Sequence, residues 1–121
     1  MYYIGAILLL LIGIAHSYLG ERYILMRLFR RADLPKLFGT DEFTKNTLRF
    51  AWHVTTVAWW GFAAILFQLA QAEESTSAIG KIIGITFLIH FVIALLGSKG
   101  RHLSWVVFLI IGLTAIYASN T

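Results

Sequence analysis

Four stretches of the chain carry no Asp, Glu, Lys or Arg: Tyr2 to Leu19, Phe50 to Ala72, Ile82 to Leu96 and Leu103 to Ala118. Ser77 to Gly80 extend the third run upstream across Lys81, whose long side chain can snorkel to an interface. A helix needs about 20 apolar residues to cross a bilayer, and the runs reach or approach that length. None alternates apolar and polar residues with a period of two, so strands of a membrane barrel are not predicted. The pattern predicts an all-α integral membrane four-helix bundle, with residues 1–121 forming a single four-span transmembrane domain. The fourth run is short, which predicts local thinning of the bilayer or a frayed end.

The stretches between the runs have their own patterns. Leu25, Leu28 and Phe29 fall at helical spacing, while Arg27, Arg30 and Arg31 sit elsewhere on the wheel. That predicts a short amphipathic interfacial segment between helices one and two, ended by Asp33-Leu34-Pro35. Thr40 is placed to cap helix two, with Asp41 and Glu42 in the first turn where acids are favourable. Gly97-Ser98-Lys99-Gly100 predicts a tight turn between helices three and four. Gly80-x-x-x-Gly84 permits close helix approach, by default within the chain. Trp59 and Trp60 sit mid-helix, away from the interfacial belts, so one of them is expected to face lipid or a partner.

Composition turns these helices into membrane helices. Hydrophobic residues make up 59% of the chain and charged residues 13%, against roughly 45–50% and ~25% in soluble domains. A soluble domain of this size buries only ~60–70% of the surface its unfolded chain exposes, too little to hide so much apolar area. A disordered chain and a catalytic domain with a large soluble lobe are excluded with it. The absence of cysteine removes disulfides, thiolate zinc sites, iron–sulfur clusters, thioether-attached haem and cysteine nucleophiles. Gly13-Ile14-Ala15 resembles a signal-cleavage site, but the leading Met-Tyr-Tyr has no basic residue, so the first helix is expected to be retained.

Charge then orients the spans. Of ten basic residues, Arg22, Arg27, Arg30, Arg31, Lys36, Lys45 and Arg49 fall in or beside the first connection, Lys99 and Arg101 in the third, and only Lys81 near the second. The positive-inside rule places the first and third connections in the cytoplasm and both termini outside, as in a multi-pass protein of a bacterial-type inner membrane. The net charge of +4 thus reports topology and attraction to anionic lipids at the basic cytoplasmic loop; nucleic acid is not an expected partner.

Candidate chemistry centres on four histidines, one per helix: His16, His53, His90 and His102. Under this topology all lie within roughly 10 Å of the cytoplasmic boundary, at ~1.5 Å per residue. Arg49, His53, Thr56, Trp60 and Ala64 share one face of helix two. Ile83, Thr86, His90 and Gly97 share one face of helix three, and Gly5, Leu9, Ile12, His16 and Tyr23 one face of helix one. Polar groups in a span normally face the interior, which would bring the imidazoles together. His53 and His90, level within about one residue, are expected to face one another, with His16 and His102 as further ligands or supporting groups.

No carboxylate lies inside a run, so Ser17, Ser98 and Ser104 lack an orienting acid and hydrolytic catalysis is not expected. Neutral imidazoles suit non-covalent haem b or a transition metal, giving an electron-transfer site. Arg49 and Arg101, with Arg22 and Lys99, stand where propionates, quinone oxygens or lipid phosphates would emerge. Three other readings compete. The histidines can be purely structural, each cross-helix hydrogen bond contributing ~0.6 kcal/mol. They can serve a proton or quinone role. Finally, the chain can be a non-catalytic accessory or assembly subunit, in a homo-oligomer or a larger membrane complex. A transporter is disfavoured by the lack of intramembrane carboxylates and Pro-broken helices.

Overall fold

The computed structural model describes residues 1–71 and 75–121. Four helices fill most of them: α1 Tyr2–Leu28, α2 Glu42–Leu69, α3 Thr76–Gly97 and α4 Ser104–Ser119. The first three are long and apolar enough to cross a membrane, and α4 is a shorter apolar helix of 16 residues. No strand occurs among the described residues.

The helices extend beyond their apolar runs. α2 begins at Glu42, where Thr40 Oγ1 accepts from the Glu42 N–H at 3.4 Å, eight residues before the run starting at Phe50. α1 continues past Leu19 through a π-helical turn, Gly20–Leu25, and on to Leu28. The separate amphipathic segment expected after helix one is therefore part of α1. Its Leu25 is 2% exposed, and burying that side chain favours continuing the helix over bending it aside. No proline intervenes until Pro35. At the other turn, Lys99 and Gly100 take positive φ (52° and 75°) and the Gly100 N–H returns to the Leu95 carbonyl at 2.9 Å, a left-handed closure of α3. Gly97 stays helical.

Packing follows chain order. α1 lies on α2, α2 on α3 and α3 on α4, and α1 reaches neither α3 nor α4 through its backbone. The four helices form a row in which α2 and α3 each have two interfaces. Small residues set each seam, because they let backbones approach. On α1 they are Ala6, Gly13 and Gly20, seven apart and all buried. Trp60 and Trp52 of α2 lie over the two glycines, where a β-carbon would overlap their indoles. Between α3 and α4, a β-carbon on Gly84 would come 3.0 Å from the Gly112 carbonyl, and one on Gly112 would come 3.2 Å from that of Gly84. Gly80 likewise faces Ser119. The Gly80-x-x-x-Gly84 stripe is thus used inside the chain.

Candidate functional site

The α1–α2 seam is stitched by side chains of α2 onto the backbone of α1. Trp52 Nε1 donates to the His16 carbonyl at 3.0 Å, Thr56 Oγ1 to that of Gly13 at 3.4 Å and Trp60 Nε1 to that of Leu10 at 3.4 Å. Residues four apart on one helix thereby meet residues three apart on its antiparallel neighbour, which are the two spacings that keep to one helical face.

Where the seam reaches the arginine-rich end of α1, five side chains form a connected polar group. Ser17 Oγ lies 2.7 Å from Thr56 Oγ1 and 2.9 Å from His53 Nδ1. His53 Nε2 lies 3.3 Å from Glu21 Oε2. Arg49 holds both oxygens of the same carboxylate, at 3.2 Å through Nε and 2.8 Å through a terminal nitrogen. The Arg49 guanidinium also sits over the Phe29 ring, 4.9 Å from its centre. Glu21 stands one helical turn beyond Ser17 on the same side of α1, at the start of the π-helical turn Gly20–Leu25.

The donors and acceptors of this group can be assigned in two complete ways. With His53 neutral and protonated on Nε2, Thr56 turns its one hydrogen from the Gly13 carbonyl to Ser17, Ser17 donates to Nδ1 and Nε2 to Glu21. With His53 protonated on both nitrogens, Nδ1 donates to Ser17, Ser17 to Thr56 and Thr56 to the Gly13 carbonyl. No hydroxyl is stranded in either state. Ser17 and His53 with Glu21 also have the order of a nucleophile, base and acid. However, Ser17 lies within α1, where neighbouring N–H groups are committed to the helix, so no backbone donors converge to hold an oxyanion.

The other histidines lie elsewhere. His16 stacks on Trp52, ring centres 4.5 Å apart and nearly parallel, with the tilted ring of Trp59 at 4.8 Å; its Nε2 is buried without a hydrogen-bond partner in the protein. His90, 4% exposed, is held between Phe87 and Phe108 at 5.3 and 5.4 Å. It approaches the Val54 carbonyl without hydrogen-bond geometry, and neither ring nitrogen has a protein partner. It borders a small cavity of about 100 Å³ lined by Ala58, Gly61, Ile83 and Thr86. His102 closes the start of α4, its Nδ1 accepting from the Ser104 N–H at 3.3 Å and lying 2.9 Å from Ser104 Oγ, with Phe43 and Phe50 against its ring. Arg101 lies over Phe38, 5.5 Å from the ring centre.

His90 sits beside Val54, next in sequence to His53, so these two histidines share a level. Contrary to expectation, they do not face one another. Adjacent residues on a helix point about 100° apart, and α2 has a neighbour on each side, so it offers His53 to α1 and Val54 to α3. Among the described residues, no three His, Asp or Glu side chains gather as metal ligands would. The α2 face carrying Arg49, His53, Thr56 and Trp60 is a line of contacts to α1. The α1 face was misplaced: Ile12 and Tyr23 are 51% and 52% exposed. The seven-residue spacing of Ala6, Gly13 and Gly20 was the signal for the true one. Glu21, on the same side one turn beyond Ser17, was its unread polar end.

The fold and site define an all-helical protein with three helices able to cross a membrane and a half-buried polar chain along one helix seam. No protein-family model, curated protein or solved structure matches it.

Proposed function

We propose that the chain is a four-span membrane protein, both termini outside, whose His53 takes up a proton and gives it back at the cytoplasmic end of the α1–α2 seam. The observation that carries this reading is the chain Thr56–Ser17–His53–Glu21, whose hydrogen bonds are complete with His53 neutral or charged. A purely structural histidine needs only one satisfied arrangement. Here the imidazole, whose ordinary pKa lets it change charge between pH 5 and 8, stands between a carboxylate and two hydroxyls able to reverse together. Arg49 holds both oxygens of the Glu21 carboxylate and so fixes it beside the His53 ring. From Glu21 to Gly13 the chain spans eight residues of α1, about 12 Å at ~1.5 Å per residue. It leads from the arginine-rich interface into the apolar half of the span.

The commitment of His53 to Ser17 and Glu21 supports the proton reading ahead of haem b or a metal held by His16, His53, His90 and His102. It is tested on purified protein with nitrogen-15-labelled histidine. The His53 ring signals should change between the one-proton and two-proton forms as pH falls from 8 to 5. In Ser17→Ala the hydroxyl chain is cut, and exchange of the His53 Nδ1 proton should slow while the fold is kept. A His53 ring fixed in one form across that range overturns the reading. A visible absorption band of bound haem in the same sample would replace it with the electron-transfer one.

A further inference from the structure

Three arginines beside the proton site are unused by it. Arg22, Arg27 and Arg30, with Tyr23 and Met26, line a depression of about 260 Å³ at the end of α1. Among the described residues, no carboxylate pairs with any of the three; the acids nearby are taken, Asp33 by Arg31 and Glu21 by Arg49. Arg27 packs over Tyr23, 5.8 Å from the ring centre, leaving the guanidinium's hydrogen-bonding edge free. Arg22 and Met26 belong also to a second groove, of about 490 Å³, that runs along the α1–α2 seam past Tyr18 and Ser17 to Ile14 and Trp60. The two are therefore continuous: a cationic mouth opens onto an apolar trough.

The π-helical turn builds this mouth. In an unbroken α-helix, residues five apart lie about 140° from one another, at 100° per residue. The turn Gly20–Leu25 closes hydrogen bonds over five residues instead of four. That added residue brings Arg22 and Arg27 round to one side.

We infer that this composite groove binds one anionic phospholipid, its phosphate held by Arg22, Arg27 and Arg30 and one acyl chain laid along Ile14, Met26 and Trp60. Charge complementarity favours a phosphate, which planar guanidinium groups bind in forked pairs. Continuity with the apolar trough favours a lipid over a free phosphate. On the orientation proposed above, the mouth faces the leaflet where anionic lipids and basic residues meet. Glu21 borders the trough, but with both oxygens engaged by Arg49 and His53 it leaves the positive mouth uncancelled. This assignment rests on the arginines and the groove, and it stands whether or not His53 exchanges a proton.

The test is native mass spectrometry of the full chain released from detergent with phosphatidylglycerol or with phosphatidylcholine of the same acyl chains. One phosphatidylglycerol per chain should be retained in preference to phosphatidylcholine. Replacing Arg22, Arg27 and Arg30 together by Gln should weaken its binding on the order of a hundredfold, about fivefold per charge. Because that variant removes three topogenic charges, a second one leaves charge alone. Ile14→Trp, on a side chain 57% exposed, should fill the trough and weaken phosphatidylglycerol while leaving phosphatidylcholine unchanged. Equal retention of the two lipids, or unaltered phosphatidylglycerol binding in Ile14→Trp, overturns the assignment. Binding of glycerol phosphate as tight as that of the lipid would mark a free-phosphate site and overturn it as well.

Discussion

Gly20 of α1 lies directly beneath the indole of Trp52, and a β-carbon at that position would overlap the ring's Nε1 edge. Trp52 is held from two sides. Its Nε1 donates to the His16 carbonyl and its face stacks on the His16 ring, so it cannot yield without loosening both contacts. Gly20→Ala should therefore destabilise the protein by about 1–3 kcal/mol, the usual range for overpacking a filled interior. Thermal unfolding in detergent should show the loss, and Trp fluorescence should report a displaced Trp52. Leu8→Ala, on a side chain 60% exposed, is the comparison expected to change little.

His90 and His53 should respond oppositely to the same substitution. His90 has no protein hydrogen bond to lose and lies among Phe87, Phe108 and Ile83. Exchanging an unpaired buried polar group for an apolar one of similar size is nearly neutral or stabilising, so His90→Leu should hold or raise the unfolding temperature. His53→Leu removes the partner of Ser17 and of Glu21, and should cost about 1–3 kcal/mol. Equal losses at the two sites would show that His90 has a partner after all.

The loop after α1 should have an acid-sensitive contact. Hydrogen bonds from Arg31, one of them 2.8 Å long, hold the Asp33 carboxyl down to about 2, from an ordinary value of 3.8. A depressed carboxylate contributes stability above its unfolded pKa and loses it as pH falls through the folded one. The contact should accordingly be complete above about pH 4 and be lost as pH falls through about 2. Being fully exposed, it should have little effect on global unfolding. Carboxyl chemical shifts should place the Asp33 midpoint near 2 and return it to the ordinary range in Arg31→Gln; a midpoint unmoved by that change would mean the pair does not form in solution.

Topology makes a coarser prediction. Nine of ten basic residues flank the first and third connections, so a reporter inserted between residues 32 and 46 should read as cytoplasmic and one after Thr121 as external. A C-terminal reporter active in the cytoplasm would reverse the proposed orientation and carry the arginine mouth to the other leaflet.

How much of this could be read from the chain depended on how local the cause was. Helix-forming apolar runs, the Lys99–Gly100 turn and the line Arg49–His53–Thr56–Trp60 depend on composition and a 3.6-residue period, and they needed no partner to be recognised. The common level of His53 and His90 followed from counting residues from the helix ends. Which neighbour each side chain meets did not follow, because it depends on how many interfaces a helix has. A closed bundle would give α2 one inward face; the observed row gives it two, and one residue's 100° step sends His53 to Ser17 and Glu21 while Val54 meets His90. The π-helical turn was likewise invisible, since it is a single added residue in an otherwise ordinary helix. By itself the sequence determined helices, their apolar character and the asymmetry of charge. Only tertiary packing, by burying Leu25 and seating Trp52 over Gly20, decided where α1 turns and therefore which polar groups meet.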